Sequence, residues 1–184
     1  MSKRKLLLLF LLSNQSFIFG RDVVIPNNQG TARVVVEEDR LRVELSGKKD
    51  AMEPQKLWDK QSVAVLWSPS GKTVCVTEDV KRGSNYCVLQ VQDQTVVELE
   101  TPGALLLDAP VPEGFRGGRF HYLQPLRWLD EEHLEVTVDV NFDATANEDV
   151  SRWRRGVLTL ILKEGTVLDG GTKWEPNVTD ETQH

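Results

Sequence analysis

From Ala32 onward the chain is built of short runs in which apolar and polar residues alternate with a period of two, separated by clusters of turn-forming residues. The runs "ARVVVEED" and "RLRVELSG" read as two strands around an acidic turn, with Val34, Val36, Leu41, Val43 and Leu45 as candidate inward positions. The polar stretch "KKDAMEPQKLWDKQ" reads as a connection. Strand signals return in "SVAVLW", "KTVCVTE", "NYCVLQVQ" and "QTVVELE", with "SPSG", "DVKRGS" and "QD" as turns between them. A second long connection is expected from Thr101 to Gly118, where Pro102, Pro110 and Pro112 argue against central strands. "RFHYLQPLRW", "HLEVTVDVNF", "RRGVLTLILKEG" and "TVLD" then complete the strand set, and a frayed tail is expected over residues 170–184. No segment keeps a helical period long enough to carry a domain.

Two of these groups repeat one another. "VLWSPSGKTVCV" aligns with "PLRWLDEEHLEV", placing Trp67 on Trp128, Val74 on Leu134 and Val76 on Val136 with a residue deleted in the turn. "CVLQVQDQTV" aligns with "LTLILKEGTV" without a gap, placing Cys87 on Leu158, Leu89 on Leu160 and Val96 on Val167. Each unit therefore reads strand, turn, strand, variable loop, strand, short turn, strand. Runs such as "VAVLW" and "VLTLIL" are apolar on both faces, so a sheet containing them needs cover on both sides. Stacked four-stranded units supply it.

The stretch "LWSPSGKTVCV" resembles the WD-type and TolB-type β-propeller repeat, whose turn commonly reads aromatic-Ser-Pro-Asp-Gly-Lys before a strand. Ser70 stands where those families usually have Asp, and the second unit keeps only Trp128 and Asp130 of the turn. The resemblance covers Ser62 to Glu100 and Leu123 to Asp169, and it implies propeller blades. Rings of this kind close with about 4–8 blades. The chain offers two such units, at residues 62–100 and 123–169, with Val34 to Leu45 as a fragment of a third. The expected fold is all-β, with antiparallel sheets in two propeller-blade-like four-stranded units, arranged as an open stack or sandwich rather than a closed ring. One β domain over residues 21–169 holds both units.

The start of the chain adds a location. Lys3, Arg4 and Lys5 precede the apolar run Leu6 to Leu12 and a mixed stretch ending at Gly20, the order of a secretory signal peptide over residues 1–20. The expected destination is secreted or periplasmic, with an N-terminal membrane anchor as the alternative. Losing residues 1–20 removes three basic residues and no acid, moving the formal net charge from −6 to −9. So acidic a chain is unsuited to nucleic acid, which needs clustered Lys and Arg. An exported chain also meets oxidising conditions. A hairpin centred near Lys81 would set Cys75 opposite Cys87 and permit a disulfide, which in so short a loop is worth about 3 kcal/mol. The alternative is two reduced, buried thiols.

Candidate chemistry is sparse. "DVNFDATANEDV" carries oxygen ligands at the alternate positions Asp139, Asn141, Asp143, Thr145 and Asn147, the spacing of a calcium loop. Ala144 occupies its usual glycine and Val150 its bidentate glutamate, so the alternative is a solvated hairpin loop. His121, His133 and His184 lack metal-ligand spacing, and no serine lies in a nucleophile elbow. "NVT" at Asn177 fits a glycosylation acceptor. Trp58, Trp67, Phe120, Tyr122, Trp128 and Trp153 are the aromatic candidates for a binding face; of these, Trp67 and Trp128 sit at equivalent repeat positions and suit a core, whereas Trp153 stands among Arg152, Arg154 and Arg155 as an exposed anchor for a partner. The leading expectation is a non-enzymatic protein that binds a protein partner or further copies of itself, without a cofactor other than Ca²⁺ at the Asp139 site. The rival expectations are an accessory domain or subunit of a secreted hydrolase or peptidase, and a calcium-stabilised structural envelope protein.

Overall fold

The computed structural model of the chain describes residues 15–18, 23–37, 40–46, 55–56, 62–80, 83–101, 115–144 and 151–175. These residues form strands and turns only, gathered into three antiparallel sheets. Strand β1 (Gln15–Ile18) is an added edge strand. The first sheet runs β2 (Val23–Pro26), β3 (Ala32–Glu37), β4 (Arg40–Leu45), β5 (Gln55–Lys56). The second runs β6 (Ser62–Trp67), β7 (Thr73–Val80), β8 (Gly83–Gln92), β9 (Thr95–Glu98), with β1 on the outer edge of β6. The third runs β10 (Phe115–Trp128), β11 (His133–Ala144), β12 (Ser151–Lys163), β13 (Thr166–Trp174). Among the described residues, no helix is long and apolar enough to cross a membrane.

The sheets stack in chain order, and alternation along the middle sheet explains why. Val63, Val65, Trp67, Val74, Val76 and Leu89 pack against Ile25, Val34, Val36, Leu41 and Val43 of the first sheet. The intervening residues Leu66, Cys75 and Val88 pack against Leu123, Leu134, Val136, Leu158 and Leu160 of the third. A strand with cores on both sides must be apolar at successive positions, which is what "VAVLW" provides. The inward positions expected in β3 and β4 are therefore in the core, with Leu45 partly buried against it.

Equivalent hydrogen bonds join neighbouring sheets. Trp67, ending β6, donates its indole Nε1–H to the Ile25 carbonyl in β2 at 3.3 Å. Trp128, ending β10, donates to the Leu66 carbonyl in β6 at 3.2 Å. The turns that follow are also linked. Asn27, which is buried, donates from Nδ2 to the Gly71 carbonyl at 2.9 Å while its Oδ1 accepts from the Thr31 and Ala32 amides. Gly71 has φ +69° and a Cβ there would lie 2.8 Å from Asn27 Nδ2, so both backbone and space require glycine. One sheet further on, Glu131 accepts from the Ser70 amide at 2.7 Å and from Ser70 Oγ at 2.6 Å. The third sheet also crosses close to the β7–β8 hairpin, where a Cβ on Gly83 would lie 2.8 Å from the His121 carbonyl and Leu123 N–H donates to Ser84 Oγ.

Several sequence expectations change. The fragment around Val34 to Leu45 belongs to a complete four-stranded sheet, so the stack holds three units in place of two. The connection expected to Gly118 gives way to β10 at Phe115, and the tail expected from Gly170 is strand through Trp174. The β1 backbone pairs with β6 from Gln15↔Leu66 to Ile18↔Val63, inside the segment expected as a leader. A cleaved leader would leave that edge of β6 without a partner strand.

The disulfide expectation is overturned by register. The β7–β8 hairpin pairs Val80 with Gly83, which sets Cys75 opposite Val88 and Val76 opposite Cys87. A shift of one residue turns a side chain to the other face. Cys75 thus lies in the core shared with the third sheet and Cys87 beside the core shared with the first, and both are free thiols. Burial pushes the Cys75 thiol up to about 12 and raises that of Cys87 as well. Neither should react with a maleimide in the native protein at pH 7.5, both should react in denaturant, and the intact mass should show two reduced cysteines. A bridged mass would contradict the register.

Glu131 gives a second check. Burial tends to raise its carboxyl, but the Ser70 and Ser68 donors outweigh that and hold it below its ordinary 4.5. Its contribution to stability is then complete above that ordinary value and is lost as pH falls through the lowered one. For a bond this open to solvent the contribution is on the order of 0.5–1 kcal/mol. Glu131→Gln should lower the melting temperature by a few degrees at pH 7, and the difference from wild type should shrink on acidification below pH 4.

Candidate binding face

The first two sheets are each covered by the next, but no further sheet of the described chain covers the outer face of the third. Alternation decides what it displays. In β11, Val136, Val138 and Val140 are buried toward the second sheet, so Glu135, Thr137, Asp139 and Asn141 turn outward. In β12, Leu158 and Leu160 are buried, so Trp153, Arg155, Val157 and Thr159 turn outward. The register sets Tyr122, Asp139 and Arg155 in one row across β10, β11 and β12, and Phe120, Asn141 and Trp153 in the next.

Within these rows the side chains engage one another. Arg155 donates from Nε to Asp139 Oδ1 at 2.7 Å and from Nη2 to Oδ2 at 2.8 Å, a bidentate pair. That pairing raises the Arg155 pKa above its already high ordinary value. The Tyr122 and Trp153 rings lie 5.6 Å apart at 46°, meeting above β11. Asn141, beneath them, is only 6% exposed, whereas Trp153 is 51% exposed. The face thus presents a tilted aromatic pair beside a planar ion pair. Nearer the turn, Arg127 Nε donates to Glu135 at 2.6 Å, a second ion pair on this face.

The expected basic cluster is therefore divided. Trp153 and Arg155 share the outer face. Arg154 pairs in register with buried Val140, on the opposite side of the sheet, and its Nη2 donates to the Glu175 carbonyl at 3.3 Å, while the Arg152 side chain lies outside the described residues. Strand alternation separates neighbours that a loop would have kept together.

The calcium-loop candidates fall only partly within the described residues. Asp139, Asn141 and Asp143 lie in strand β11 rather than a loop. An extended backbone sets alternate side chains in a straight row instead of wrapping them around an ion, and the Asp139 carboxylate is already taken by Arg155. Thr145 and Asn147 lie outside the described residues. Among the described residues, no group of three or more His, Cys, Asp or Glu side chains could hold a metal ion.

The remaining candidates have structural settings. His121 sits in β10, half-buried, and burial holds its pKa below the ordinary value. Asp130 accepts from the Glu132 and His133 amides at 2.8 Å and from His133 Nδ1, which shapes the β10–β11 turn. Between the turns of the first and second sheets lies an open cleft of about 690 Å³, floored by Leu45 and Val91 and rimmed by Gln29, Lys72, Asp93 and Gln94. Trp58 and Asn177 lie outside the described residues. Sequence reasoning singled out Trp153 and named Tyr122 only within a wider aromatic set, and it left unseen that the two rings meet and that Asp139 pairs with Arg155. Both follow from the hairpin register, which composition and spacing leave open.

Comparison with known protein families, with curated proteins and with solved structures finds no match to this chain. The class is accordingly defined by fold and surface: an all-β stack of three antiparallel sheets whose last face carries an aromatic and ion-pair patch.

This geometry sets an expectation for metal. Scanning calorimetry of the full chain with 1–5 mM calcium and with excess EDTA should give superimposable unfolding transitions, because the Asp139 carboxylate is already engaged by Arg155. A calcium-dependent rise in melting temperature would restore a loop-type site.

Proposed function

We propose that this chain is a non-enzymatic binding protein of an extracytoplasmic compartment, which holds a macromolecule on the outer face of its third sheet. The observation that carries the reading is Trp153, 51% exposed on a flat strand, in ring contact with Tyr122 and beside the Asp139–Arg155 pair. A large apolar ring left half in water is a cost to the isolated fold that binding removes. Tryptophan, tyrosine and arginine are also the residues that most often dominate binding energy. The charged, then apolar, order of residues 1–20 supports export. The pairing of Arg127 and Arg155 with carboxylates and the acidic net charge disfavour a polyanionic partner.

Trp153→Ala and Arg155→Ala should each weaken capture of the partner from extracts of the source organism by about 30-fold, the effect of a hot spot of about 2 kcal/mol. Their melting temperatures should stay within about 2 °C of wild type, since exposed side chains contribute little to folding. Unchanged capture by both variants would refute the reading.

A further inference from the structure

The frame around Trp153 narrows the chemistry of what it holds. Protein hot spots are fully desolvated pockets ringed by neighbouring contacts that exclude water. Among the described residues, no such ring surrounds Trp153. Directly across the strand is Asn141, diagonally placed is Asp139, and next along β12 is Arg155, so polar groups adjoin the ring. A ligand fitting this frame must offer an apolar surface to a ring and hydrogen-bonding groups immediately around it. Nucleobases offer both, but their phosphates meet an acidic chain whose nearby arginine is already neutralised.

Resting on the binding reading above, we infer that the Tyr122–Trp153 face is a carbohydrate site. A pyranose has a face of C–H groups that packs on an indole or phenol ring, and equatorial hydroxyls at its edge. Asp139 and Arg155 hold each other in one plane through the bidentate pair, leaving lone pairs on the carboxylate and further N–H donors on the guanidinium for vicinal hydroxyls. Fixing both groups before the ligand arrives reduces the ordering cost of binding.

Ring geometry also restricts the kind of glycan. Rings inclined at 46° cannot both lie flat on one plane, which excludes a crystalline polysaccharide surface and suits successive residues of a twisted free chain. The face binds such chains as oligosaccharides.

The test uses the full chain and oligosaccharides of defined linkage. Isothermal titration with cellohexaose, chitohexaose, maltohexaose and mannohexaose should show binding of at least one of them. Trp153→Ala should weaken that binding by roughly tenfold or more, and Trp153→Phe should restore most of it because the ring face is kept. Tyr122→Ala should weaken it less, and matched melting curves establish that each variant is folded. Oligosaccharide binding unaffected by Trp153→Ala would overturn the assignment to this face. No binding of any of the four sugars, with Trp153-dependent capture of a protein intact, would overturn the carbohydrate inference while leaving the binding reading in place. Loss of Trp153 dependence in both assays would overturn both.

Discussion

The stack depends on one repeated step, the indole of a strand-ending tryptophan donating to a main-chain carbonyl in the sheet before it. Trp67 reaches Ile25 and Trp128 reaches Leu66. Each bond satisfies a polar N–H that packing would otherwise bury unpaired, and it fixes how far one sheet slides over the next. With that offset set, the turns meet tip to tip, so that Asn27 finds the Gly71 carbonyl and Glu131 finds Ser70. The apolar packing between sheets supplies most of the stabilisation but is non-directional. The indole step gives it an address.

The ends of the stack show how it stops. Arg33, Val74 and Leu134 occupy equivalent places facing the preceding sheet, as judged by their partners Glu44, Leu89 and Leu160. Only in the first sheet, which no earlier sheet precedes among the described residues, is that place charged. Val34, Cys75 and Glu135 are the counterparts facing the next sheet, and here the charge is in the last one. At both ends the charges are paired within the sheet: Glu44 is held between Arg33 and Arg42, and Glu135 takes Arg127. Solenoid-like stacks terminate in polar outer faces for the same reason, because an apolar end would recruit further layers. A ring closed by continuing the same packing would have to desolvate these pairs, which favours an open stack.

Much of this order is legible in the sequence. Alternation marked the strands, and runs apolar at successive positions marked the sheet that needs two covers. The alignment of Val74 with Leu134 and Leu89 with Leu160 survives as identical cross-strand partnership. What composition cannot supply is register. The hairpin between Cys75 and Cys87 differs from expectation by one residue, which is enough to send the thiols to opposite cores. The alternate oxygen ligands from Asp139 were visible, but a loop and a strand share that spacing, and only pairing with β12 distinguishes them. The first sheet was underestimated because its outer strands, β2 and β5, are short and one contains Pro26. Proline is tolerated there because β2 is an edge strand.

Register also explains why the Trp153 face is suited to recognition. From His133↔Ile161 to Asp143↔Ser151 the β11–β12 pairing runs without a shift, so the positions of Asn141, Asp139, Trp153 and Arg155 are fixed by backbone hydrogen bonds. Strand β10 is different: its pairing with β11 shifts between Arg116 and Phe120 and again between Pro125 and Arg127. The regular segment between those irregularities carries Tyr122. Bulges bend a strand and increase its local twist, so they re-aim the residues between them. Tyr122 and Trp153 thus stand on either side of β11, close enough for their rings to meet at 5.6 Å. Strand pairing of this kind holds the backbones beneath the aromatic and ion pairs in place, so the two rows keep their spacing across the sheet.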